Sequence, residues 1–329
     1  MDLPAEPRLR WLLRRSATLL GLGAEPVRGL VQPNGDYFPD AFDGSPRALT
    51  ALLARIQHHA GLSHLPVELA VMSPDPEAQS SGGGCSSGAC GGAGKLDLRT
   101  DRLTLRDDGG YRVTIAAAEV RHPTVLTTAF TRAVAGIFMN EAEASDALPA
   151  GELEQATDLA AVLLGFGVLL ANGSYIYMKG CGSVSVHSAT KLPVDETTLA
   201  LGIYCTLNGV PERAAAKHLE TTARAHFEEA MAWAGSNAAV IRLLRADPEV
   251  IEADDFKLAP AGSWLGRLLR GNKKKVSSRP TQDDMEALEQ SLGEAADRSR
   301  AKRPPDPARA RRLAEAKSLV DDALDRDQA

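Results

Sequence analysis

Two consecutive apolar segments, within residues 123–172, constrain the fold of this chain more than any other feature. The first reads VLTTAFTRAVAGIFM, the second reads ELEQATDLAAVLLGFGVLLAN, and a short acidic connection joins them. In both segments apolar residues recur at the spacing of a helix face, so the sequence predicts two helices packed side by side. The longest apolar run, 159–171, falls short of the roughly 20 residues that a membrane-spanning helix needs. We therefore expect a buried core helix there and no transmembrane segment.

Composition limits the classes of partner. A formal net charge of −6 over 329 residues gives no electrostatic reason to expect nucleic acid or an anionic membrane as a partner. The four cysteines are too few and too scattered for a disulfide scaffold, and the apolar residues at the N-terminus are interrupted by arginines rather than forming a signal sequence. These features predict a cytoplasmic protein with reduced thiols.

The chain divides into four parts by its local character. Residues 1–72 predict an N-terminal α/β portion, and residues 73–95 are a flexible insertion rich in glycine and cysteine. Residues 96–245 predict a small β-sheet followed by a helical core. Residues 246–329 predict a linker and a largely disordered tail, because from Lys273 onward both signs of charge are combined with little apolar content. The expected fold class is α+β and helix-rich.

Several elements can be placed by their boundary signals. Ser45-Pro46 opens a helix that Gly61 ends, and Asp107 to Gly110 reads as the turn of a β-hairpin. Residues 174–196 predict an irregular β-hairpin. Asp195 is expected to cap a helix that ends at Asn208-Gly209, and Pro211 to open one longer helix that runs through Phe227. The folded part is expected to end near Arg245 or shortly after it.

Gly165 and Gly167 lie within the second apolar segment. Glycines in a helix are typical of places where another element approaches closely, because no side chain keeps it away. They are not a nucleotide-binding loop, since the segment lacks the Lys-Ser/Thr of that motif. We expect tight packing at these two positions.

The spacing of polar residues across the two helices carries the main functional signal. Ala135 and Glu154 are separated by the 18 residues 136–153, Thr131 lies one helical turn before Ala135, and Asp158 lies one turn after Glu154. In layout, residues 110–235 resemble the core of a gluzincin-type, zincin-like metallopeptidase. Such enzymes carry a His-Glu-x-x-His motif on one helix and a glutamate ligand on a second helix.

The resemblance implies a metal site that has lost most of its residues. Thr131 and Ala135 stand at the positions of the two histidine ligands, and Arg132 stands at the position of the general base. Only Glu154, with Asp158 beside it, matches the family pattern. The resemblance therefore implies a non-catalytic, pseudopeptidase-like protein without a cofactor, which binds or regulates an unidentified protein or peptide. We also expect an ion pair between Arg132 and Glu154 to fill the vacated position.

Other interpretations remain open from the residues alone. Glu154 and Asp158 also suit the solvated first turn of an ordinary amphipathic helix, and the protein would then be a helical adaptor unrelated to zincins. A metal-dependent hydrolase with non-standard ligands would use His122, at the entrance to the first helix, with Glu154, Asp158 and the cysteines. Cys85 and Cys90 in the insertion are further candidates for thiol or metal chemistry, although their spacing differs from that of zinc knuckles.

Overall fold

A computed structural model describes residues 3–72, 102–179 and 184–259. It shows a helix-rich protein with a small mixed β-sheet, as the α+β expectation requires. The whole of the predicted glycine-rich insertion (73–95), including Cys85 and Cys90, and most of the predicted charged tail lie outside the described residues.

Two helices form the N-terminal part, as predicted. Helix α1 spans Glu6–Gly21 and buries a leucine-rich face. Helix α2 spans Pro46–His59, and the side chain of Ser45 accepts a hydrogen bond from the backbone N–H of Ala48 at its start. This cap satisfies one of the free N–H groups of the first turn.

The small sheet contains three strands in the order β1-β3-β2. Strand β1 (Val67–Met72) is parallel to β3 (Tyr111–Ala116), and β2 (Leu103–Leu105) is antiparallel to β3. The turn between β2 and β3 contains Gly109, whose φ of 78° requires the left-handed region. The predicted strands and their hairpin are confirmed.

The two central apolar segments form an antiparallel helix pair. Helix α3 (Pro123–Glu141) begins with proline, and a short helix α4 (Ala144–Ala147) follows it. The second segment contains α5 (Leu153–Ala161) and α6 (Gly167–Gly173). By length and composition, one helical stretch (150–173) could span a membrane, and 89% of its most apolar window is buried inside the protein.

The second segment is not the single regular helix that its sequence predicts. A π-helical turn, Val162–Phe166, separates α5 from α6, and Gly165 within it has a φ of 101°. The Gly165 carbonyl accepts a hydrogen bond of 2.9 Å from the N–H of Val31, and a β-carbon on Gly165 would lie 2.2 Å from the Gly29 carbonyl oxygen. The loop before α2 therefore packs against the π-helical turn between α5 and α6.

The close packing expected at Gly165 and Gly167 is confirmed. A β-carbon on Gly167 would lie 2.7 Å from a methyl group of Leu201, which belongs to the next long helix, α7 (Val194–Asn208). Both glycines admit a neighbouring element at a distance that a side chain would prevent.

The described part of the C-terminal half, up to residue 259, adds a hairpin and five helices. One long helix was predicted after Pro211, but the structure has two shorter helices there. The Asn172 side chain accepts a hydrogen bond from the N–H of Glu220 and donates one to the His218 carbonyl, and both residues lie in the segment between these helices. Helix α7 begins one residue before Asp195, with Pro193 as its N-cap, and ends at Gly209 as expected. The elements are β4 (Ile176–Lys179), β5 (Val184–His187), α7 (Val194–Asn208), α8 (Glu212–Ala216), α9 (Thr221–Ser236), α10 (Ala238–Ala246) and α11 (Pro248–Glu252).

The folded region continues beyond the predicted boundary at Arg245. Arg10 of α1 forms an ion pair of 3.0 Å with Asp254 and donates a hydrogen bond to the Phe256 carbonyl. Apolar residues from α1 through Phe256 share one hydrophobic core. The N-terminal portion and the helical core therefore pack together around one hydrophobic core.

Candidate functional site

The candidate site lies where α3 packs against α5. Arg132 on α3 donates from Nε to Asp158 Oδ1 over 2.5 Å and from Nη2 to Glu154 Oε2 over 3.0 Å. Glu154 and Asp158 are one turn apart on α5, so both carboxylates face the same guanidinium. The expected Arg132–Glu154 ion pair is present, and Asp158 is a second partner that the hypothesis did not include.

Asp158 is the buried anchor of this cluster. Its side chain is fully buried, and Oδ2 accepts hydrogen bonds from the backbone N–H groups of Lys191, at 2.5 Å, and Leu192, at 2.9 Å. Burial raises the pKa of the Asp158 carboxyl group, while Arg132 and the two N–H donors act in the opposite direction. Asp158 thus joins α3 to the segment that leads into α7, and it does not lie on a solvated first turn.

Arg132 is almost entirely buried, with 6% of its side chain exposed. Desolvation lowers the pKa of a buried guanidinium, but Asp158 and Glu154 raise the pKa of Arg132 by more. The site therefore holds a permanent positive charge between two acidic side chains.

Glu154 connects the cluster to solvent. Its side chain is 55% exposed, in contrast to the fully buried Asp158. An exposed ion pair contributes little to stability, whereas a buried charge depends strongly on its partner. The two acids therefore differ in role: Asp158 fixes Arg132, and Glu154 forms the accessible edge of the site.

Thr131 and Ala135 lie next to Arg132 on α3, and both are fully buried. The Thr131 hydroxyl group makes no hydrogen bond to any residue that the structure describes. The resemblance implies a histidine ligand at each of these two positions, but Ala135 offers only a methyl group and Thr131 only a hydroxyl group.

The open edge of the sheet runs beside this helix. A β-carbon on Gly136 would lie 3.1 Å from a methyl group of Leu103 in β2, so this part of α3 packs directly against that strand. The register of β2 on β3 leaves the backbone N–H and C=O groups of Leu103 and Leu105 pointing away from β3. Among the described strands, none pairs with that side of β2.

No protein-family model, curated protein or solved structure matches this chain. The site is therefore interpreted from its own geometry.

The residues present do not fit a zinc site. Both acidic side chains are bonded to a guanidinium, which repels a metal cation. Within the three ranges described, no group of three or more His, Cys, Asp or Glu side chains could hold a metal ion.

His122 does not lie in the cluster that Arg132 forms with Asp158 and Glu154. It is the N-cap residue of α3 and lies ten positions before Arg132, which corresponds to about 15 Å along a helix. Cys85 and Cys90 lie outside the described residues. Cys205 lies on α7, where burial raises the pKa of its thiol to about 12.

Helix α1 forms hydrogen bonds beside the site, which its sequence pattern did not predict. Glu152, immediately before α5, accepts hydrogen bonds from Trp11 Nε1 at 2.8 Å and from Arg15 Nε at 2.5 Å. The hydrogen bond from Arg15 is the main reason why the pKa of Glu152 is lowered. The arginines of α1 thus hold the start of α5 in place.

A second group of hydrogen bonds connects α1 to α7. Arg8 donates to both carboxylate oxygens of Glu196, at 2.7 Å and 2.5 Å, and also to Gln155 of α5. The guanidinium lies 4.3 Å from the centre of the Trp11 ring. The alternation of Arg and Leu in α1 was the available signal, but it does not identify the distant acids.

Proposed function

We propose that this protein is a non-catalytic, pseudopeptidase-like binding or regulatory protein with a degenerate gluzincin-type core. The observation that carries the proposal is the double ion pair of Arg132 with Asp158 and Glu154. In the proposed register, this guanidinium stands at the position of a general base and bonds the two acids that match the family pattern.

The chemistry of these side chains favours binding over hydrolysis. A guanidinium stays protonated in proteins and cannot accept a proton from water. Thr131 and Ala135 offer no strong metal ligand, and Asp158 already accepts three hydrogen bonds. Activation of water by a metal at this point is therefore unsupported by the residues that surround it.

The proposed partner is an extended peptide that pairs with the free edge of β2. Strand addition uses backbone N–H and C=O groups, which Leu103 and Leu105 present at that edge. The side chain of Leu105 is 63% exposed. A peptide on this edge would run beside the part of α3 that carries Gly136 and Arg132.

Metal analysis combined with one substitution tests the non-catalytic assignment. The full chain, purified without a histidine tag, is expected to contain no stoichiometric zinc and to cleave no peptide after zinc is added. Stoichiometric zinc that disappears in Glu154→Ala would instead support a metal-dependent hydrolase with non-standard ligands.

A structure of the protein with a bound peptide separates the proposal from a plain helical adaptor. The peptide is expected on the β2 edge. Binding that leaves this edge free would favour an adaptor unrelated to zincins.

A further inference from the structure

A separate cleft opens on the opposite side of α3. It lies between the loop 33–42, α2 and the first turns of α3, and its volume is about 350 Å³. Thr127 belongs to its lining and lies nine positions before Gly136, which is at the β2 edge. Nine residues make about two and a half helical turns, so the two positions project from opposite sides of α3. This cleft is therefore distinct from the Arg132 cluster.

The walls of the cleft are mainly apolar. Phe38, Phe42, Leu52 and Leu126 contribute large side chains. Phe42 is 42% exposed, so part of this apolar wall is accessible to solvent. The volume lies at the lower end of the roughly 300–1,000 Å³ that is typical of ligand pockets, and it suits one large side chain better than a nucleotide-sized cofactor.

The loop that forms one wall is held in position before any ligand binds. The side chain of Asn34 accepts a hydrogen bond from the N–H of Asp36, and its carbonyl accepts one from the N–H of Phe38. The Phe38 ring packs edge-on against the buried His59 ring, with 5.6 Å between ring centroids. A preformed wall lowers the entropy lost on binding.

The next part of this loop has free backbone groups. The N–H and C=O groups of Asp40, Ala41 and Phe42 make no hydrogen bond to any residue that the structure describes. All three residues are exposed, and all three line the cleft. An irregular segment with unpaired backbone groups beside an apolar cleft suits the main chain of an extended peptide.

The charges around the cleft define the ligand further. Asp36 and Asp40 on this loop and Asp43 just after it are exposed, and Asp40 lines the cleft. Arg55 pairs with Asp40 through one oxygen alone, since its Nε and Nη2 both donate to Oδ2, at 3.2 Å and 2.8 Å. Asp40 Oδ1 accepts no hydrogen bond from the residues that the structure describes, so the rim favours a positively charged neighbour.

We propose that this cleft binds an extended peptide segment in which a large apolar side chain stands next to a basic residue. The apolar side chain enters the space between Phe38, Leu52 and Leu126. The peptide backbone bonds to the free groups of residues 40–42. The basic side chain pairs with Asp40 at the rim.

Three fluorescein-labelled, end-blocked peptides test the proposal by fluorescence anisotropy with the full chain. They share a Gly/Ser background and differ only at the centre, which reads Trp-Lys, Ala-Lys or Trp-Glu. The Trp-Lys peptide is expected to bind about 10- to 100-fold more tightly than Ala-Lys, because burial of the indole is lost in the latter. It is expected to bind about 2- to 5-fold more tightly than Trp-Glu, as for an exposed ion pair.

Matched variants locate the binding. Ala48→Phe fills the cleft from α2 and is expected to abolish the preference for Trp, whereas Ala54→Phe, at an exposed position of the same helix, is expected to preserve it. Asp40→Asn keeps the shape of the rim and is expected to remove the preference for Lys over Glu. Thermal unfolding of each variant identifies any that fails to fold.

Several outcomes would overturn the proposal. These are equal binding of the three peptides, no saturable binding of any of them, or a Trp preference that folded Ala48→Phe retains. Free indole that competes with Trp-Lys as well as unlabelled Trp-Lys does would show an apolar small-molecule pocket instead of a peptide site.

Discussion

Arg132 donates a hydrogen bond to Asp158 over 2.5 Å in a setting where 6% of the arginine side chain and none of the aspartate side chain is exposed. The same guanidinium bonds Glu154, which is 55% exposed. One cation thus pairs with two carboxylates that differ strongly in burial. This contrast allows the buried and the exposed halves of the cluster to be tested separately.

Replacing Arg132 with methionine is expected to lower the free energy of unfolding by about 3–5 kcal/mol, because Asp158 loses its counter-charge while it remains buried. Glu154→Gln keeps the size of the exposed partner, and this variant is expected to lower the free energy of unfolding by less than about 1 kcal/mol. Urea denaturation followed by circular dichroism measures both values. Similar losses for the two variants would contradict a buried Asp158 that depends on Arg132.

Gly165→Ala is expected to destabilise the protein by about 2–4 kcal/mol, since it combines a strained backbone with overpacking. Gly165 has a φ of 101°, and the added β-carbon would lie 2.2 Å from the Gly29 carbonyl oxygen. Gly151→Ala is the control, because nothing lies within 4 Å of the β-carbon there and its φ is not positive. Thermal unfolding compares the two variants. A loss of stability no larger for Gly165→Ala than for Gly151→Ala would contradict the close contact between Gly165 and Gly29.

The sequence predicted the elements that local signals define. Ser45-Pro46 and Gly61 bracket α2, the alternation around Val113 and Ile115 marks β3, and the glycines of β2–β3 mark the hairpin turn. Each signal acts within a few residues of the element that it defines. Caps, turns and apolar periodicity can therefore be read without knowledge of the tertiary structure.

The features that the sequence did not predict depend on distant partners. The break at Gly165 requires the carbonyl of Gly29, and the separation of α8 from α9 requires the side chain of Asn172. At the site, the spacing predicted the pairing of Arg132 with Glu154. It did not predict that Asp158 binds the backbone of Lys191 and Leu192, because no pattern in those residues records a long-range contact.

His59 is expected to make stability depend on pH. Burial lowers the pKa of His59 below its usual value of 6.5, and its Nε2 contacts the Tyr37 carbonyl oxygen at 2.9 Å. The unfolded chain therefore binds a proton at higher pH than the folded protein does. The free energy of unfolding should fall as the pH drops below about 6.5, with a slope of up to about 1.4 kcal/mol per pH unit, until the folded pKa is reached.

His59→Phe removes the titrating group and should remove this part of the slope, whatever it does to stability at neutral pH. Urea denaturation at intervals between about pH 5 and pH 8 covers the window in which the histidine changes charge. A variant whose slope equals that of the wild type would show that another group is responsible.

Restoring the family motif tests the proposed register directly. The triple variant Thr131→His, Arg132→Glu, Ala135→His places two imidazoles one helical turn apart and returns a carboxylate to the position of the general base. If the register is right, Glu154 completes the ligand set and Asp158 can accept a hydrogen bond from one imidazole. The variant is expected to bind about one zinc ion per chain, measured by mass spectrometry of the metal content.

Zinc should also stabilise this variant, because the loss of Arg132 leaves acidic side chains without their cation until a metal binds. At about 100 times the dissociation constant, zinc is expected to raise the free energy of unfolding by about 2.7 kcal/mol. The control keeps Ala135 and carries only Thr131→His and Arg132→Glu, so it lacks one ligand and should show a much smaller shift. A folded triple variant that binds zinc no better than this control would reject the register and, with it, the proposed relationship to gluzincins.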